Sequence, residues 1–276
     1  MSDLDAFTDG GRTSFVRKMC STALSPSRLP GLDHALNPYT RCGHDCAYCY
    51  APYVMRTSPL EWGKEIVAKV NIPQVLAKEL PRRQGVIGLG TVTDPYQPLE
   101  AETLLTRRCL EEIVKASARV SVLTKSDLVL RDRDILKRIR GAEVGITVNT
   151  ISDDRAGIFE ANAPPPSRRM RAARCLVDEG IDTYVFLGPI IPTITDHDLE
   201  GLVQGIASSG VRSAMIDRLN LRPGMKTRMC RRLAERSPSS LIEFDARVES
   251  DAYYSEIIAM LESMLREAGI RTAAAF

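Results

Sequence analysis

Three thiols lie close together in segment 37–53, NPYTRCGHDCAYCYAPY: Cys42, Cys46 and Cys49, spaced C-x-x-x-C-x-x-C. Thiolates at this spacing on one loop can converge on a single metal centre. A mononuclear zinc site normally takes four protein ligands, commonly as two separated pairs. No second pair exists here, because Cys109, Cys175 and Cys230 stand alone. His44 would complete a zinc site only in a cramped arrangement. A [4Fe–4S] cube held by three thiolates leaves one iron open to a further ligand, and the spacing favours that reading.

Such a loop needs a fold to hold it. The 276 residues, 44% of them hydrophobic, are enough for a sizeable core. β-Branched or apolar runs at 34–39, 86–90, 119–124, 144–149, 183–187 and 213–217 read as strands. Amphipathic stretches at 72–80, 101–117, 131–138, 168–179, 196–209, 225–236 and 253–268 read as helices. The alternation predicts an α/β fold of six βα units, short of the eight that close a full barrel, with the strand C-termini on one side. Polar residues collect just after the strands, which puts function at that rim. Residues 1–27 read as a polar, irregular extension, and 28–276 as one domain ending in a helix.

Composition narrows the function classes. The 37 basic and 35 acidic residues leave a formal charge of +2, too little for a global field, so any nucleic-acid surface must be local. No apolar run approaches the roughly 20 residues that span a bilayer, and the first residues lack an apolar signal core. Clustered thiols and an odd cysteine count suit a reducing compartment, so a cytoplasmic location is expected.

With Tyr48 as its aromatic residue, the loop resembles the C-x-x-x-C-x-aromatic-C signature of the radical S-adenosylmethionine superfamily. TDPYQPLE (93–100), LTKS (123–126) and FEANAPPPSRR (159–169) resemble, more narrowly, its spore photoproduct lyase-like branch, also labelled DNA repair photolyases. The resemblance covers about residues 35–196. It implies a partial (β/α)6 barrel and a [4Fe–4S] cluster on Cys42, Cys46 and Cys49. It also implies that the open iron chelates S-adenosylmethionine, whose C5′–S bond is cleaved by one electron to give a 5′-deoxyadenosyl radical. A reducing donor such as flavodoxin or ferredoxin would supply the electron.

The same resemblance suggests which residues hold the cofactor. Tyr48 belongs to the signature, and Thr93 and Asp94 follow the second strand, where the methionine amine is expected. Lys125 and Asn149 end the third and fourth strands and are candidates for the methionine carboxylate and ribose hydroxyls. Arg169 starts a helix, where a cation gains nothing from the helix dipole, so a cofactor carboxylate is its expected partner. The apolar run 186–192 is a candidate wall for adenine through irregular backbone.

In the lyase branch, a cysteine three residues before the aspartate returns hydrogen to the product; Thr91 occupies that place here. A threonine O–H bond is too strong for that task, so either another donor serves, with Cys230 and Tyr96 as the main candidates beside Cys109, Cys175 and Cys20, or the reaction differs. Cys109 and Cys175 read as small buried apolar residues. The stretch KTRMCRRLAER offers Lys226, Arg228, Arg231, Arg232 and Arg236 as a local DNA-binding surface, with Arg218 and Arg222 just upstream. The expected substrate is a DNA lesion or modified nucleotide. The alternatives are a small molecule, peptide or lipid, and a metal-stabilised binding module without turnover.

Overall fold

Arg119–Thr124 buries Val120, Val122 and Thr124 in alternation, the pattern of a strand with one face on a core. Asp182–Ile190 is buried along nearly its whole length, as a strand covered on both faces must be. All six expected strands are present in the computed structural model, which describes residues 14–275. The chain has an α/β fold and divides into two compact units. One takes the chain up to Asp45 with Ala51–Val144, the other Cys46–Tyr50 with Gly145–Phe276.

The first unit carries β1 (Ser14–Lys18), β2 (Leu24–Pro26), β3 (His34–Leu36), β4 (Tyr39–Thr40), β5 (Glu65–Lys69), β6 (Val86–Leu89) and β7 (Arg119–Thr124). A small sheet orders β1, β5 and β4, and its Tyr39, Ile66 and Ala68 form a core with Leu105. β2 pairs antiparallel with β3, while β3 with β6 and β6 with β7 are parallel. The expected irregular opening through residue 27 therefore contains two strands. β1 was hidden because its partner is the distant β5, and β2 because three residues are too few to show a period.

The single helix expected at 101–117 is two, Glu100–Thr103 and Leu105–Lys115, separated by Leu104 in the left-handed region. Glu100 causes the break. Its buried carboxylate accepts the Thr106 and Arg107 N–H groups at 2.9 and 3.2 Å and so caps the second helix. Arg131 pairs with the same carboxylate at 2.6 Å, and Tyr39 donates its hydroxyl to it.

In the second unit, β8 (Glu143–Thr147, which begins in the first), β9 (Asp182–Ile190), β10 (Ser213–Arg218) and β11 (Arg271–Ala274) lie in that order. β9 with β10 and β10 with β11 are parallel. Helices Asp153–Phe159 and Leu241–Arg247 were not foreseen; each has only seven residues, too few to show a period. The run 186–192 is strand through Ile190, and it is irregular there as expected: the Gly188–Pro189 peptide bond is cis and the pairing with β10 shifts register between Leu187 and Ile190. Among the described residues, no helix is long and apolar enough to cross a membrane.

Gly90 closes β6 with φ of +96°, and a Cβ there would lie 2.1 Å from the Leu123 carbonyl oxygen. Gly90→Ala is expected to lower the unfolding free energy in urea titrations by more than about 1–2 kcal/mol. Gly157→Ala, in a helix with open space around the new methyl group, should raise it by about 0.5–1 kcal/mol. Equal effects from the two changes would contradict this reading.

Candidate active site

The cysteine motif is shared between the units: Cys42 lies in the first, Cys46 and Cys49 in the second. In the first unit the chain leaves β3 at Asn37, whose amide donates to the Thr91 hydroxyl at 2.9 Å and accepts from the Val92 N–H at 3.3 Å. Arg41 and Asp45 then take positive φ, 66° and 46°. Two left-handed non-glycine residues within five positions are costly and must be held in place. Gln97, fully buried, accepts the Gly43 N–H at 2.7 Å and donates to the Arg41 carbonyl. Gly63 leaves room for Asp45, where a Cβ would clash at 2.6 Å.

His44 is 2% exposed, with Nδ1 3.4 Å from Asp94 Oδ2. Asp94 also accepts the Tyr96 N–H, the Thr124 hydroxyl and the Lys125 N–H at 2.8, 2.6 and 2.8 Å. Burial alone would push its carboxyl up; His44 and these donors outweigh burial and bring it down to about 2. Oδ1 of Asp94 thus accepts two hydrogen bonds and Oδ2 one, with the His44 ring beside Oδ2. Its neighbour Thr93 is 5% exposed, with no partner for its hydroxyl.

In the second unit the Ala47 N–H donates to the Phe159 carbonyl at 2.8 Å, and the Cys49 N–H to Cys46 at 3.1 Å. Tyr48 points inward and donates its hydroxyl to Glu160; burial first, then that carboxylate, hold its phenol well above the ordinary range. Asn149 Nδ2 lies 3.4 Å from the Tyr48 oxygen, and its Oδ1 is buried without a partner.

Glu160 also answers the question raised by Arg169. The helix Pro166–Asp178 buries Pro166, Arg169, Met170, Ala173 and Leu176 on one stripe, so Arg169 is fully enclosed. Its guanidinium pairs with Glu160 and donates to the Pro164 and Thr147 carbonyls at 2.6 and 3.2 Å. The carboxylate beside it is one of the chain's own, and Arg169 holds Glu160. Cys175, off that stripe, is exposed rather than buried as expected; Cys109 is fully buried.

The two main candidate hydrogen relays lie as follows. Tyr96 is fully enclosed, with the Arg131 guanidinium 5.9 Å from its ring centre. Burial, then Asp132 and Glu100, keep its phenol well above the ordinary range. Cys230 lies on the helix Met225–Arg236 two residues from Arg228, hence about 160° round the axis from it. Arg228 grips the cysteine loop, donating from Nε to the Ala47 carbonyl at 2.6 Å and from an Nη to Cys46 at 3.0 Å. Cys230 therefore faces away from the loop, on the side where burial and then Asp245 raise its thiol.

The basic stretch is less available than its sequence suggests. Lys226 pairs with Asp245 and Glu249 at 2.9 and 2.6 Å, and Arg218 pairs with Asp251 at 2.8 Å while stacking on Tyr254. Arg231 and Arg236 are exposed and Arg232 is half-buried.

The profile of the Radical SAM superfamily matches residues 36–205. The chain belongs to that superfamily. It is 36% identical to an uncharacterized protein of Methanocaldococcus jannaschii over 67% of this chain and 71% of that one. An uncharacterized protein of Mycobacterium tuberculosis is 28% identical over 76% of this chain and 66% of its own length. Among solved structures, a spore photoproduct lyase variant with bound AdoMet and dinucleoside spore photoproduct matches with a TM-score of 0.70 at 18% identity, over 94% of this chain and 81% of that one. The chain is thus an enzyme of the radical SAM type, a superfamily that typically uses a [4Fe–4S] cluster and S-adenosylmethionine. Among the described residues, no three His, Cys, Asp or Glu side chains are drawn together as in a formed metal site.

Sequence reasoning missed Gln97, Glu160 and Arg228 as supports of the loop. Gln97 and Glu160 lie inside motifs quoted above, which was the available signal; Arg228 lies in the basic stretch, where it reads as one surface cation among several.

Glu160→Gln strands the buried Arg169 charge and is expected to cost about 3–5 kcal/mol in urea unfolding, whereas the double change with Arg169→Met should cost clearly less than the sum of the single changes. Additive effects would refute the coupling. Asp94, depressed from its ordinary 3.8 to about 2, contributes stability above pH 4 that is lost as pH falls through 2. Between those pH values the native protein should lose about 2 kcal/mol more than Asp94→Asn does. Parallel stability curves would rule out the depressed carboxyl.

Proposed function

We propose that Cys42, Cys46 and Cys49 hold a [4Fe–4S] cluster with which the enzyme cleaves S-adenosylmethionine, turning the radical on a nucleic-acid lesion or modified nucleotide. The observation that carries this reading is the spacing of the three thiols inside the segment that the superfamily profile matches. The reading includes the partial (β/α)6 barrel, supported by the parallel pairing of β3, β6 and β7 and of β9 and β10. When bound, the cluster supplies the electron that breaks the C5′–S bond and releases a 5′-deoxyadenosyl radical able to abstract hydrogen from substrate.

The chain's residues fit these groups. Thr93 Oγ1 and Asn149 Oδ1 are buried polar atoms without partners, and such atoms are costly unless a ligand satisfies them. In this reading Thr93 meets the methionine amine, Lys125 its carboxylate and Asn149 a ribose hydroxyl. Asp94 acts one step behind, fixing His44 and the turn after β7. Tyr48 orients the loop through Glu160 instead of touching the cofactor.

The nucleic-acid substrate is supported by the fold shared with the lyase bound to its dinucleoside photoproduct and by the exposed Arg231 and Arg236. A second reading, radical chemistry on a small molecule, peptide or lipid, draws support from the neutralised Lys226 and the inward-turned Arg228.

Anaerobic reconstitution with iron and sulfide, reduction, and addition of S-adenosylmethionine should yield 5′-deoxyadenosine, and replacing any one of the three loop cysteines with alanine should abolish it. No product from the native chain would sink the proposal. DNA binding that weakens with added salt would support the nucleic-acid substrate. No binding at low salt to damaged or intact strands would transfer the case to the second reading.

A further inference from the structure

Arg228 stands apart from the other cations of its helix. Met225, Met229 and Leu233 form the helix's buried stripe, and Arg228 flanks it on the side opposite Cys230. Its guanidinium forks onto two successive carbonyls, those of Cys46 and Ala47. The Cys46 carbonyl also accepts the Cys49 N–H, the bond that closes the turn carrying two of the three thiols. Both peptide groups of Ala47 are thereby pinned, its N–H on Phe159 and its carbonyl on Arg228.

We propose that Arg228 is a positioning residue which clamps the Cys46–Cys49 turn and, by its charge, sets the reduction potential of the cluster held there. The second half rests on the reading that the loop binds a cluster. Two physical consequences follow from the geometry. A planar fork with donors on Nε and Nη spans adjacent carbonyls, which a single ammonium cannot do, so lysine would keep the charge and lose the clamp. Reduction adds one negative charge to a centre already bound by three thiolates. A fixed cation against its ligand loop favours the reduced form and raises the potential.

The test compares the native chain with Arg228→Met, Arg228→Lys and, as a control for loss of a surface cation, Lys115→Met. Hydrogen exchange of the amides in segment 46–50 is measured first on cluster-free protein. Exchange there should rise at least tenfold in both Arg228 variants and stay unchanged in the control. EPR-monitored redox titration of reconstituted protein comes second. Arg228→Met should move the midpoint to more negative potential, while Arg228→Lys stays near the native value. Native exchange in Arg228→Met would overturn the clamp, and a native midpoint in that variant would overturn the electrostatic half. A native chain that takes up no cluster would fail the reading of the loop and with it the electrostatic half, while the exchange measurement would still decide the clamp.

Discussion

One buried carboxylate organises the second unit. Glu160 is almost wholly removed from water and takes both the Tyr48 hydroxyl and the Arg169 guanidinium. A charge so placed persists only when its partners are fixed, and the partners are fixed in turn by the charge. Arg169 is anchored to the Pro164 and Thr147 carbonyls, so the end of β8 and the proline turn are tied through Glu160 to the aromatic residue of the cysteine motif. Tyr48, between Cys46 and Cys49, is held by the chain's own Glu160.

The first unit solves the same problem by the same means. Asp94 collects His44, Thr124 and two backbone N–H groups, and Gln97 bonds the backbone of Arg41 and Gly43 on either side of Cys42. Most polar groups near the motif are thus spent on structure. Among the described residues, the exceptions near the motif include Thr93 Oγ1, Asn149 Oδ1, the Tyr96 hydroxyl and the His44 ring nitrogens, all buried without a hydrogen-bond partner. Satisfied networks are rigid, and a rigid ligand loop need not reorganise when an electron arrives.

The parts legible in the sequence were those governed by local pattern. Six strands announce themselves by β-branched composition and burial period, and the thiol spacing by itself points to a metal centre. What stayed hidden depends on contacts between residues distant in sequence. Arg169 looked like a cation awaiting a ligand because Glu160, nine residues earlier, gives no sign of turning toward it. Arg228 lies 182 positions from Cys46, and no helical period reveals that it turns away from Lys226 and toward the loop. The break at Leu104 was invisible for a related reason, since the helix pattern continues across it while the Glu100 carboxylate caps only the second part. Sequence thus identified the chemistry-bearing groups more readily than the groups that hold them.

The most direct measurement is EPR spectroscopy of the anaerobically reconstituted, reduced protein before and after S-adenosylmethionine is added. If the three thiols hold a cluster with one open iron, the reduced protein gives a [4Fe–4S] signal whose g-values and line shape change on addition, as the cofactor ligates that iron. A protein that shows no iron–sulfur signal, or a signal indifferent to S-adenosylmethionine, would contradict the account.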